Sequence, residues 1–210
     1  SHEQSDLIRR VLDLGINFID SSEGYGDSEE ILGKGLGGIP RDSYFLATKG
    51  MCRDRRGELR DPKRFSAAID KSLKRLGTDY IDIMQFHLLN KDDYDGVVDT
   101  LYPVMDKART EGKIRFIGFS EQYKTEPDHR TVTHALKIHP HLWDTVMLKY
   151  GILNQYAAKE ALPLARENNV GIINMAVIRE KLPNPKLLSD QIKTWKSEGL
   201  IDHNSLDDSN

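Results

Sequence analysis

Six short apolar runs punctuate the chain: Asn17–Asp20, Tyr44–Thr48, Tyr80–Phe86, Ile114–Phe119, Thr145–Leu148 and Gly171–Met175. They are rich in β-branched and aromatic residues, and several are apolar almost throughout instead of alternating. That is the pattern of strands buried on both faces. Between the runs, apolar residues recur at three- and four-residue spacing, the helical period. Ser5–Leu14 carries Leu7, Ile8, Val11, Leu12 and Leu14, and Pro62–Leu76 carries Phe65, Ala68, Ile69, Leu73 and Leu76. Asp95–Glu111, Asp128–Ile138, Gln155–Asn168 and Lys186–Lys196 complete the expected helices. Pro62 suits the first turn of its helix, and Gly15, Gly77, Gly112 and Gly171 follow four helices as capping glycines should.

Strict alternation of strand and helix predicts a parallel sheet with crossover helices. A doubly wound, dinucleotide-binding sheet needs Gly-x-Gly-x-x-Gly between its first strand and the next helix. Gly24 and Gly26 flank Tyr25 here, but no third glycine completes that spacing, and Gly33, Gly35, Gly37 and Gly38 come after the helix has begun. A (β/α) barrel is the favoured reading.

Composition narrows the function classes. The 210 residues suit one domain, and 30 Lys plus Arg against 33 Asp plus Glu give a net charge of −3. No basic footprint for nucleic acid is present. No apolar run approaches the roughly 20 residues of a membrane helix. The single cysteine, Cys52, excludes an internal disulfide framework or a multi-cysteine zinc site. A reducing, cytoplasmic setting is the expectation. His134, His139 and His141 lack the carboxylate pattern of a metal site, and the arginines of Gly50–Asp61 read either as a charged surface loop or as contacts to an anionic substrate or cofactor phosphate.

The candidate chemistry lies at strand ends. Asp20, Tyr25, Lys49 and His87 fall at or just past the C-terminal ends of apolar runs, where a barrel places its catalytic groups. A carboxylate, a phenol, an ammonium and an imidazole gathered there make a proton-transfer site. Each also has an ordinary alternative. Asp20 could cap a turn, Tyr25 could be a loop aromatic, and His87 could be an interior histidine. Lys49 is the unusual one, because lysine is seldom buried without a partner.

Four segments around these residues resemble the aldo-keto reductases. GINFIDSSEGYGDSEEILGKGL is similar to that family's second-strand signature, FLATKG to its catalytic-lysine strand, SLKRLGTDYIDIMQFH to the run ending in its catalytic histidine, and GKIRFIGFS to its fifth strand. The match runs in order over nearly all of the first 175 residues. The resemblance implies a (β/α)8 barrel that binds NADP(H) and interconverts an aldehyde, ketone or sugar carbonyl with its alcohol. It implies Tyr25 as general acid, Lys49 and Asp20 as groups that tune it, and His87 as the group that orients the carbonyl. It implies cofactor contacts at Asp20, Ser120, Glu121, Met147 and Met175. The chain departs from the family pattern at three of these: Glu121 stands where Asn is usual, Met147 where Gln is usual, and Met175 where an aromatic is usual. A catalytically reduced barrel acting as a binding or regulatory subunit is therefore the alternative reading.

A closed barrel needs eight strands and typically about 250 residues. The expectation is thus one barrel domain over residues 1–200 whose first and eighth strands are missing from this chain, followed by a polar tail over 201–210.

Overall fold

All six apolar runs form strands in the computed structural model, which describes residues 2–122, 124–178 and 182–204, with the backbone only for residues 2–5. Most of the expected polar tail, from residue 205, lies outside the described residues. The strands are β1 (Phe18–Asp20), β2 (Phe45–Met51), β3 (Ile81–Leu89), β4 (Ile114–Glu121), β5 (Thr145–Leu148) and β6 (Gly171–Asn174). Helix α1 (His2–Asp13) precedes β1, and α2 (Ser28–Leu36) and α3 (Pro62–Leu76) connect β1 to β2 and β2 to β3. Helices α4 (Tyr94–Thr100) and α5 (Tyr102–Thr110) lead to β4, α6 (Arg130–Ile138) to β5, α7 (Ala161–Glu167) to β6, and α8 (Pro185–Ser197) follows.

Every neighbouring pair is parallel and the spatial order is β1-β2-β3-β4-β5-β6. A doubly wound sheet reverses its order at a switch point, and no reversal occurs here. The six strands are wound in one direction, as in a (β/α)8 barrel.

The register sorts the strands into two faces. Asp20, Ala47, Ile83 and Phe116 form one layer of the first face. Lys49, Gln85, Gly118, Thr145 and Gly171 form the next. Nearer the C-terminal end, Met51 pairs with His87, and Ser120 with Met147 and Ile173. The opposite face carries Leu46, Met84, Phe86, Ile117, Phe119 and Val146 into the core beneath the helices. There Phe65 of α3 stacks on Phe86 at 5.5 Å, and Trp143 meets Phe119 edge-on at 4.8 Å. Burying each such ring contributes on the order of 2–3 kcal/mol.

Several elements differ from expectation for stated reasons. The single helix expected over Asp95–Glu111 is divided at Leu101 into α4 and α5. Pro103 lacks an N–H and its ring would clash with the carbonyl of Asp99 in a continuous helix. The helix expected over Gln155–Asn168 is a short 3-10 turn at Tyr156–Ala158 followed by α7. Pro163 is tolerated only in a first turn, where its missing N–H has no partner to lose, so α7 starts at Ala161. Gly15, Gly77 and Gly112 are left-handed as capping requires, but Gly171 begins β6 and Asn169 takes the left-handed position after α7. Strands β2 and β3 also run two residues beyond Lys49 and His87, placing both inside the strands and not past their ends.

Candidate active site

The loop after β1 holds Tyr25 by a chain of short-range bonds. Ser21 and Glu23 donate their backbone N–H groups to Ala47 and Lys49 carbonyls, carrying β1's alignment on β2 beyond the strand itself. Tyr25 N–H then turns back to the Ser22 carbonyl at 3.0 Å, and Gly26 follows at a φ of +57°. That conformation costs a side-chain-bearing residue energy that glycine avoids. The Glu23 carboxylate ties the loop down by accepting from Met51 N–H at 2.6 Å and from Arg60.

Lys49 is the centre of the site. Its side chain is 1% exposed, and its ammonium donates to Asp20 Oδ2 at 2.5 Å and to the Ser21 carbonyl at 2.8 Å. Burial pushes the Lys49 ammonium below the usual lysine range, with Asp20 opposing that shift. The same ammonium lies 5.2 Å from the centroid of the Tyr25 ring. The His87 ring meets Tyr25 edge-on at 5.5 Å between centroids. Asp20, Tyr25, Lys49 and His87 are therefore brought together, as one group at the C-terminal ends of β1, β2 and β3.

His87 is 8% exposed. Burial, reinforced by the Lys49 charge, lowers its pKa to about 4, so the ring is neutral near pH 7. Its Nδ1 lies 2.9 Å from Ser22 Oγ. Immediately after it, Leu88 adopts a φ of +57° at a register irregularity between Phe86 and Leu89. Bulges of this kind re-aim a side chain at a strand end. Leu88 N–H donates to Ser120 Oγ at 3.0 Å, which joins the end of β4 to the histidine.

The residues expected to contact cofactor divide between the two faces. Ser120 and Met147 are register partners on the face that carries Lys49. Glu121 is wholly buried, and its Oε1 engages His129 Nδ1 beside the first turn of α6. Burial raises the Glu121 pKa, with the His129 bond opposing. Met175 follows β6, half-buried, with its N–H on the Leu148 carbonyl.

Other singled-out residues have structural surroundings. His134 and His139 pack against the Tyr94 ring, and His141 packs edge-on to His139. Among the described residues, no group of three or more His, Cys, Asp or Glu is arranged to hold a metal ion. None of their helices is long and apolar enough to cross a membrane. Arg53 pairs with Asp93 and Arg60 with Glu23. Cys52 is buried, and its thiol pKa is pushed up to about 12. Reading the sequence missed Ser22 and Glu23. The only signal for either was a polar Ser-Ser-Glu segment between a strand and a glycine.

Comparison with known proteins places this geometry in context. A family model described as the aldo/keto reductase family matches residues 1–194. The chain is 35% identical over 175 residues to an L-galactose dehydrogenase of Arabidopsis thaliana, covering 80% of this chain and 52% of that protein. It is 30% identical over 203 residues to an NADH-specific methylglyoxal reductase of Escherichia coli (strain K12), covering 85% of this chain and 60% of the relative. It therefore spans between about half and three-fifths of the length of these relatives. A crystal structure of an aldo/keto reductase from Klebsiella pneumoniae in complex with NADP and acetate is similar in fold, with a TM-score of 0.70 and 22% identity. That match covers 94% of this chain and 67% of the Klebsiella chain.

Proposed function

The chain belongs to the aldo/keto reductase family, and from that premise we propose that it is an NADP-dependent oxidoreductase interconverting a small carbonyl compound and its alcohol. The observation that carries this reading is the buried Lys49 ammonium, 2.5 Å from Asp20 and beside the rings of Tyr25 and His87. A free tyrosine releases its proton near pH 10. A neighbouring ammonium favours the tyrosinate and so makes the phenol a better acid. Asp20 opposes the effect of burial and so favours the charged form of Lys49. Tyr25 delivers the proton to the substrate oxygen in reduction and takes it back in oxidation. His87, neutral at physiological pH, donates a hydrogen bond to the same oxygen as negative charge develops there.

The residues at the ends of β4 to β6 suit a nicotinamide group in their chemistry. Ser120 Oγ accepts from Leu88, and a hydroxyl that accepts still has its own proton to donate. Thioethers pack favourably against flat rings, and Met147 and Met175 offer two. Ser120, Met147 and Met175 are the residues that would hold the nicotinamide end. A bound nicotinamide supplies or accepts the hydride at the carbonyl carbon. Glu121, on the opposite face of the sheet, stays with His129. NADP(H) is proposed after the Klebsiella complex, and the NADH-specific E. coli relative makes NADH the necessary comparison.

The test is cofactor oxidation, with NADPH and with NADH, against a panel of aldehydes, dicarbonyls and sugars. Turnover with NADPH that falls about 10²–10⁴-fold in Tyr25→Phe is expected, the range for a general acid. Absence of turnover in the unaltered protein, or equal turnover in the variant, would overturn the reading and favour a binding or regulatory role.

A further inference from the structure

Ser22 is buried in the loop after β1, and its hydroxyl has three polar neighbours. Gly24 N–H donates to Ser22 Oγ at 3.1 Å. His87 Nδ1 lies at 2.9 Å and the Lys49 carbonyl oxygen at 3.3 Å. A serine hydroxyl has one proton to give, so it can donate to His87 or to Lys49, not to both. Two observations decide between them. The contact with Nδ1 is the shorter. The Lys49 carbonyl already accepts from Glu23 N–H at 3.1 Å and needs no second donor.

We infer that Ser22 is a positioning residue: its hydroxyl donates to His87 Nδ1, which leaves the ring's proton on Nε2. The inference rests on the reading of His87 as the donor to the substrate oxygen, and it explains why that reading is chemically possible. A neutral imidazole has one N–H. Were that proton on Nδ1, facing the interior, Nε2 would present a lone pair to a carbonyl oxygen and repel it. Ser22 also fixes the ring's rotation, because the hydroxyl is itself held by Gly24 N–H in a tight turn. The depressed basicity of His87 agrees with this. A second proton on the ring would force Ser22 to turn away toward the Lys49 carbonyl.

The experiment combines nitrogen-15 NMR of the histidine side chains with steady-state kinetics, on the full chain and on Ser22→Ala and Ser22→Thr. Long-range proton–nitrogen correlation spectra identify the protonated ring nitrogen. In the unaltered protein and in Ser22→Thr, His87 is expected to be protonated at Nε2 alone. In Ser22→Ala it is expected to exchange between both tautomers, with kcat falling about 10- to 100-fold, the cost of a misplaced group, and KM for cofactor unchanged. Protonation at Nδ1 in the unaltered protein, or an unchanged tautomer in Ser22→Ala, would overturn the inference. The spectrum decides the tautomer whether or not turnover is seen, so failure of the oxidoreductase reading and failure of the Ser22 assignment are separate results.

Discussion

Lys49 and Asp20 meet at 2.5 Å across β1 and β2 from unequal surroundings: the lysine side chain is 1% exposed and the aspartate 31%. The ammonium therefore depends on its partner more than the carboxylate does. Removing the carboxylate with Asp20→Asn leaves a buried cation whose remaining protein acceptor is the Ser21 carbonyl. A loss of about 2 kcal/mol in unfolding free energy is expected, less than for a fully enclosed pair because water reaches the aspartate side. Adding Lys49→Met to Asp20→Asn should restore part of that stability in denaturant titrations, since an apolar replacement avoids the unpaired charge. A double variant less stable than Asp20→Asn would contradict this account.

His87 makes stability depend on pH in a definite direction. Its folded pKa of about 4 lies below the usual 6.5. Between those values the unfolded chain binds the proton and the folded chain does not, so stability falls as pH drops from about 6.5 to about 4. The full effect is on the order of 3 kcal/mol. Urea unfolding of the unaltered protein and of His87→Gln across that range measures it. The variant should lose less stability than the parent over the same interval.

Cys52 is buried at the end of β2, and desolvation with the nearby Asp93 charge raises its thiol pKa to about 12. The thiolate is the reactive form. A thiol reagent at pH 7.5 should leave the native protein unlabelled and modify one site once it is unfolded. Rapid labelling without denaturant would show that this region opens readily.

Gly118 of β4 pairs with Thr145 of β5. A methyl group placed there would stand 2.5 Å from the Thr145 carbonyl oxygen, a backbone atom that cannot swing aside. Gly118→Ala should cost about 1–3 kcal/mol by overpacking, read as a lower thermal midpoint. A midpoint equal to the parent's would mean that the two strands separate at little cost.

Most of the architecture could be read from the chain because strand and helix have different periods, and here the periods are clean. The rest depended on distant atoms or on the fit of two prolines within their helices. Pro103 and Pro163 state where their helices begin, once the carbonyl four residues earlier is considered. The apolar runs Tyr44–Thr48 and Tyr80–Phe86 stop short of the ends of β2 and β3, because Lys49 and His87 interrupt the apolar pattern inside the strands. Polar side chains are accommodated within a strand when Asp20 and Ser22 wait opposite them. Ser22 itself had no legible role, since its partner His87 is 65 residues away and a hydroxyl pairing leaves no spacing pattern. The separation of Ser120 from Glu121 follows from strand alternation, but which of the two meets His129 required the position of α6.

The singly wound strand order also has a kinetic meaning. Asp20, Tyr25, Lys49 and His87 come from β1, the loop after it, and the two strands that follow, all adjacent in both sequence and space. Contacts between consecutive units, such as Asp20 with Ala47 and Lys49 with Gln85, each close over an intervening helix, and parallel pairing of this kind is slow to form. During synthesis from the N-terminus, these four residues can come together as soon as β3 docks on β2. Ser120, Met147 and Met175 belong to β4, β5 and the residue after β6, which leave the ribosome later. The group formed by Asp20, Tyr25, Lys49 and His87 can thus be complete before β4 to β6 have joined the sheet.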